Sequence, residues 1–109
     1  MIHVDIGYQG PEIVYFSVEG HAGYAQSGSD IYCAGVSAIT QTALLGLLDQ
    51  MEQKPRYKIE KGYLLCELPD CLSIRDKERA QIILGAMETG LKAMQEAYGE
   101  YLKITVRRL

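Results

Sequence analysis

Residues 2–18 read IHVDIGYQGPEIVYFSV, and the alternation in them decides the fold class. Ile2, Val4 and Ile6 fall on one face of an extended chain and His3 and Asp5 on the other. Gln9, Gly10 and Pro11 interrupt the pattern, after which Val14, Phe16 and Val18 alternate with Tyr15 and Ser17. Two such runs around a Gly-Pro break predict a two-stranded hairpin with one buried face.

Downstream of the hairpin, residues 20–30 (GHAGYAQSGSD) hold three glycines, two serines and no run of large apolar side chains. Such a stretch has little to bury and much backbone freedom, and it predicts a mobile loop. Residues 33–50 then show helical spacing. Val36, Ile39, Ala43 and Leu47 form one stripe, with Leu44 and Leu48 beside it. Asp30 is the expected N-cap, because its carboxylate can accept from free first-turn amides, and that places Cys33 at the third helical position.

Residues 57–61 and 63–68, on either side of Gly62, predict a second hairpin that ends at Pro69. Ser73 and Asp76 have the spacing of a capping box. Ile83, Met87, Leu91, Met94 and Tyr98 make the apolar stripe of a long helix, and Gly99 is placed to stop it. Leu102, Ile104 and Val106 alternate as a final strand. The order ββαββαβ predicts an α+β fold: one mixed sheet with both helices packed on one face, in a single domain over residues 1–109. The other face, carrying His3, Asp5 and Lys58 or Lys103, is expected to be solvated or used for association.

Composition narrows the function classes. With 11 Lys+Arg against 14 Asp+Glu, the formal net charge is −3 in 109 residues. That balance argues against nucleic acid as a partner, since backbone binders cluster cations to displace counterions. Residues 1–10 have no basic or continuous apolar run, so no secretory signal is expected. No stretch is read as the roughly 20 apolar residues that span a bilayer. A membrane partner is therefore not expected either. Cys33, Cys66 and Cys71 are an odd set, read as free thiols of a reducing, cytoplasmic compartment. Their spacing contains no CxxC or HxxxH pair, so neither a metal nor a cofactor is expected.

The chemistry concentrates in residues 20–37. A cysteine in the first turn of a helix faces unpaired N–H groups and the positive end of the macrodipole, which favours thiolate. His21, twelve positions earlier, can fold back over the helix start, hold the sulfur as an ion pair and protonate a leaving amine. The amide of Cys33 or Ala34 can then serve an oxyanion. Asp30 caps the helix or also orients His21, and Ser37, one turn past Cys33 on the same face, contributes its hydroxyl or is merely packed. Tyr24 and Tyr32 flank the proposed site. Cys66, between Leu64 and Leu68, is read as sheet core, and Cys71 as a loop residue. Two competing classes are a non-enzymatic regulatory module that uses the loop and sheet as a docking surface and a redox or metal-responsive thiol protein.

The run GHAGYAQSGSDIYCAGVSAITQTALLGLL over residues 20–48 resembles the signature of the bacterial ribosomal-processing cysteine protease family, Prp, with its GHA loop and D-x-x-C-A-x-V-S helix start. The resemblance extends over the whole chain in length and element order. It implies a small α+β domain that forms a homodimer and removes the N-terminal extension of a large-subunit ribosomal protein, cleaving after an aromatic residue. The family's catalytic pair maps onto His21 and Cys33, and its supporting aspartate and serine onto Asp30 and Ser37. Gly20, Ala22, Gly23, Tyr24, Tyr32 and Ala34 take the place of the substrate loop and its surroundings. Two positions depart from the usual pattern: Tyr32 stands where a smaller aliphatic residue commonly precedes the cysteine, and Gly35 where alanine is common. Glycine inside a helix costs about 0.5–1 kcal/mol relative to alanine, so a less rigid first turn is expected.

Overall fold

The computed structural model describes residues 1–20 and 27–109, with side chains described for 1–20 and 31–109. Seven elements follow the predicted order: β1 (Ile2–Gln9), β2 (Glu12–Glu19), α1 (Ser27–Gln50), β3 (Arg56–Glu60), β4 (Tyr63–Glu67), α2 (Ile74–Tyr98) and β5 (Leu102–Arg108). The five strands form one sheet in the order β3-β4-β2-β1-β5. β5 runs parallel to β1 and every other pair is antiparallel, so the sheet is mixed.

Ile2, Val4 and Ile6 point inward as their alternation requires, and they join Phe16, Leu64, Cys66 and Leu102 in the core beneath the helices. The second strand departs from its expected face. A bulge between Gly7 and Tyr8 pairs Gly7 with Tyr15 but Tyr8 with Ile13, leaving Val14 as the extra residue. An inserted residue reverses facing on one side of the bulge. Ile13 is buried and Val14 only half-buried for that reason. On the opposite face lie His3, Asp5, Lys58 and Lys103, together with Tyr15, Ser17 and Leu65, and no described element covers them.

Helix α1 buries Val36, Thr40, Ala43, Leu44 and Leu47, and α2 buries Ala80, Leu84, Met87 and Leu91 against it. Contrary to the sequence reading, residues Ile31–Gln50 are long and apolar enough to cross a membrane, with a mean hydropathy of 1.6. In this fold that length instead supplies one side of the core, where Thr40 hides its hydroxyl by donating to the Val36 carbonyl at 2.8 Å.

The predicted capping box is half made. Ser73 Oγ accepts from the Asp76 amide at 3.1 Å, but the Asp76 carboxylate turns away to accept from the amides of Glu52 and Gln53 at 3.1 and 2.9 Å. Gln53 Oε1 takes the Ser73 amide instead, at 3.2 Å. Asp76 thereby ties the chain leaving α1 to the start of α2. Gly99 caps α2 as expected, in a right-handed conformation (φ −60°).

Candidate active site

Cys33 and Ser37 both line a cavity of about 130 Å³ between α1 and the β3–β4 hairpin. Their spacing of four residues puts them one above the other on the helix. The floor and walls are apolar, from Ile2, Val18, Val36, Ile59 and Leu64. Gly20, the last described residue before His21, lines the same cavity.

The helix around Cys33 is longer than its sequence suggests. α1 starts at Ser27, so Asp30 lies inside it and Cys33 is its seventh residue. Ser27, Ser29 and Asp30 are all residues that suit a first turn, and sequence does not rank them. Once the turn at Tyr32 is held, adding one more turn upstream has no further nucleation cost. That anchor is visible: the Tyr32 ring packs on Tyr98 and Tyr101, with centroids 4.6 and 4.4 Å away. Only the first four amides of a helix lack a partner, so those of Cys33 and Ala34 belong to the helix's own ladder. The expected first-turn dipole and oxyanion roles for these two positions therefore do not follow from the helix end.

Of the other expected site residues, His21, Ala22, Gly23 and Tyr24 lie outside the described residues, and so does the side chain of Asp30. Ala34 is exposed and does not line the cavity. Tyr32 turns away from it and serves the aromatic stack.

Gly20 is fixed by its surroundings. Its φ is +101°, a conformation that L side chains rarely adopt, and a Cβ there would lie 2.6 Å from the Met1 carbonyl oxygen. Its amide donates to the Gly62 carbonyl at 3.0 Å, joining the end of β2 to the turn of the second hairpin. Gly35 faces α2: a Cβ at that position would come within 2.7 Å of the Met94 methyl, the flexible end of that side chain.

Sequence reasoning missed the contribution of the second hairpin, Ile59, Glu60, Gly62 and Tyr63, and of Thr40 and Gln41 on α1. Thr40 carried a signal, as a polar residue inside an apolar stripe. The hairpin residues carried none, because sheet order alone brings them beside Cys33.

The remaining thiols are placed as expected. Cys66 is buried in the sheet core, and that burial, aided by neighbouring Glu67, pushes its thiol up to about 12. Cys71 is exposed ahead of α2. A larger hollow of about 580 Å³ lies where β2 and the end of β4 meet α2. It contains none of the three cysteines, and its carboxylates Glu12, Glu67 and Asp70 are balanced by Arg56, Lys77 and Arg107. The smaller cavity is lined by Cys33, the residue expected as nucleophile, and is the better candidate on chemical grounds.

The chain resembles the ribosomal processing cysteine protease Prp of Bacillus subtilis, 30% identical over 95 residues and covering 85% of each chain. It is 26% identical over 110 residues to the protein of that name from Staphylococcus aureus, covering 98% of this chain and all of the relative. The fold matches the crystal structure of a Streptococcus mutans protein with a TM-score of 0.88 at 20% identity, over 100% of this chain and 96% of that one. It also matches the S. aureus protease with a covalently linked product peptide, with a TM-score of 0.81 at 25% identity, over 97% and 99%. The family model described as cysteine protease Prp matches residues 1–103, and with the Bacillus relative it establishes that this chain belongs to the Prp family of cysteine proteases.

Proposed function

We propose that the chain is an endopeptidase that removes the N-terminal extension of a large-subunit ribosomal protein, acting as a homodimer in the bacterial cytoplasm. Cys33 is the nucleophile and His21 the acid and base. The observation that carries this reading is the cavity that Cys33 and Ser37 share, opening beside Gly20, the residue joined to His21. The names of the Bacillus and Staphylococcus relatives, which specify ribosomal processing, support the substrate class.

In the first half-reaction Cys33 Sγ forms a bond to the scissile carbonyl carbon and its proton passes to His21. The C–N bond breaks as His21 returns that proton to the departing amine, leaving a thioester. Water then loses a proton to His21 and adds to the thioester carbonyl. The C–S bond breaks, the sulfur regains the proton from His21, and the excised N-terminal extension leaves with a new carboxylate; the shortened protein has already departed in the first half-reaction with its new amino terminus. Ser37, on the same wall, supports the site with its hydroxyl. Asp30 orients His21 in this scheme.

The decisive experiment incubates wild type and Cys33→Ala with the extended ribosomal protein and follows the trimmed product by mass spectrometry. Trimming by wild type alone is expected, and equal trimming by both ends the assignment of Cys33. Sedimentation of the purified chain checks the homodimer.

A further inference from the structure

We infer, resting on the reading of Cys33 as the nucleophile of an endopeptidase, that Tyr101 is a positioning residue for the reaction. Its ring, stacked on Tyr32, sets where the cysteine turn of α1 stands at the cavity.

The turn that carries Cys33 takes its position from outside the helix. Among the described residues of α1, Val36 is the first that is fully buried; ahead of it Ile31 and Ala34 are exposed, and Tyr32 and Cys33 are half-buried. A helix end with few buried contacts of its own stands where its tertiary neighbours hold it. Here those neighbours come from more than sixty residues later in the chain. Tyr32 meets Tyr98 and Tyr101 at 4.6 and 4.4 Å between ring centroids. Residues three or four apart on a helix share a face, so Tyr32 and Gly35 look toward α2 while Cys33 and Ser37 look into the cavity. The stack and the sulfur are thus on different faces of one hydrogen-bonded turn, and shifting one shifts the other.

Tyr101 is the fixed member of the stack. Its amide donates to the Tyr98 carbonyl at 3.1 Å, and its carbonyl accepts from the Ile2 amide at 3.0 Å. The backbone beneath the ring is therefore tied both to the end of α2 and to the start of β1. Ile2 is a wall of the cysteine cavity, whereas Tyr101 does not line it. One residue holds the sheet wall through its carbonyl and the helix wall through its ring, at a distance from the reacting atoms. The two ring planes are inclined by only 15°, a geometry that needs a flat partner. An aliphatic side chain of similar bulk would fill the space without fixing the turn. A displacement of about 1 Å at a reacting group costs about a hundredfold in rate, so a smaller shift of the turn is expected to cost about tenfold.

The test compares Tyr101→Phe, Tyr101→Leu, Tyr32→Leu and the Tyr32→Leu/Tyr101→Leu double variant of the full chain, by trimming kinetics on the extended ribosomal protein. Tyr101→Phe should keep wild-type kinetics. Tyr101→Leu should lower kcat about tenfold with KM held within about twofold. At pH 6, iodoacetamide labelling of Cys33 relative to Cys71 should fall about threefold or more in the same variant, as the sulfur moves from the imidazole that ionises it. Tyr32→Leu should give the same losses, and it carries the test alone if Tyr101→Leu does not fold. The double variant should be no slower than the slower single one, because both remove one contact. A control is Gln81→Ala, which deletes the two hydrogen bonds from that side chain to the Ile13 backbone and should lower the melting temperature while leaving kcat unchanged. Unchanged kcat in the leucine variants overturns the proposal, and so does an equal loss in Tyr101→Phe. Losses that multiply in the double variant, or a kcat in Gln81→Ala as low as in Tyr101→Leu, likewise overturn it. Failure of the nucleophile reading has a different signature, in which Cys33→Ala trims as wild type does.

Discussion

The Tyr32 ring lies nearly flat on that of Tyr101, with centroids 4.4 Å apart and planes inclined by 15°. Tyr32 immediately precedes Cys33, so the stack fastens the cysteine turn of α1 to the junction between α2 and β5. Replacing Tyr101 by alanine should lower unfolding free energy by about 1–2 kcal/mol, the scale of a lost aromatic pair with some buried area. Phenylalanine at that position keeps the stacked faces and should be near neutral. Urea unfolding of the two variants is the check, and equal destabilisation by phenylalanine would show that the ring faces are not the source.

Gly20→Ala forces a side chain into a left-handed backbone position and against the Met1 carbonyl. The strain should cost roughly 1–2 kcal/mol, beyond what alanine gains by restricting the unfolded chain. Peptide turnover should fall more steeply than stability does, since Gly20 sits on the cavity rim. Thermal melts and initial rates on the same preparation separate the two effects, and an alanine variant with full activity would remove Gly20 from the site.

Asp76 gives the fold a defined acid limit. Hydrogen bonds from the amides of Gln53 and Glu52 hold its carboxyl below the ordinary value of 3.8, against the opposing effect of burial. For a carboxyl depressed in the folded state, the stabilising contribution is complete above the ordinary value and is lost as pH falls below it, through the depressed value. Melting temperature should therefore decline in wild type as pH drops below about 4. In Asp76→Asn the melt should start lower and be flatter over the same window. Parallel curves for the two proteins would contradict this account.

The three thiols should separate by accessibility. Cys71 is exposed, Cys33 half-buried on its cavity and Cys66 buried, with its thiol raised to about 12. With iodoacetamide at pH 8, native protein should take label at Cys71 and Cys33, and at Cys66 only after denaturation. Peptide mapping resolves the sites. Labelling of Cys66 in native protein at the rate of Cys71 would mean that the sheet core opens readily.

What the sequence revealed depended on how local the governing interaction was. Ile2, Val4 and Ile6 declare their face because strand alternation is a nearest-neighbour property. The exchange of Val14 for Ile13 was hidden, since a bulge is settled by pairing across two strands. Cys33 and Ser37 were legible as an i, i+4 pair, and His21, which lies outside the described residues, was legible from its place in the glycine-rich segment ahead of the helix. The start of α1 was not legible, because several capping-type residues precede Asp30 and the choice among them is made by the Tyr32 stack, whose partners come more than sixty residues later. The neighbour of Gly35, Met94, likewise lies nearly sixty residues later in the chain and is out of reach of local spacing. Ile59 and Glu60 reach the cavity only through sheet order.

The parallel pairing of β1 with β5 sets Ile2 opposite Leu102, one hundred positions away in the chain. Ile2 is also a wall of the cysteine cavity. Contacts between segments this far apart are among the last to form. A polypeptide still being translated thus carries Cys33 well before the cavity around it is braced, since that brace comes only with the closing strand.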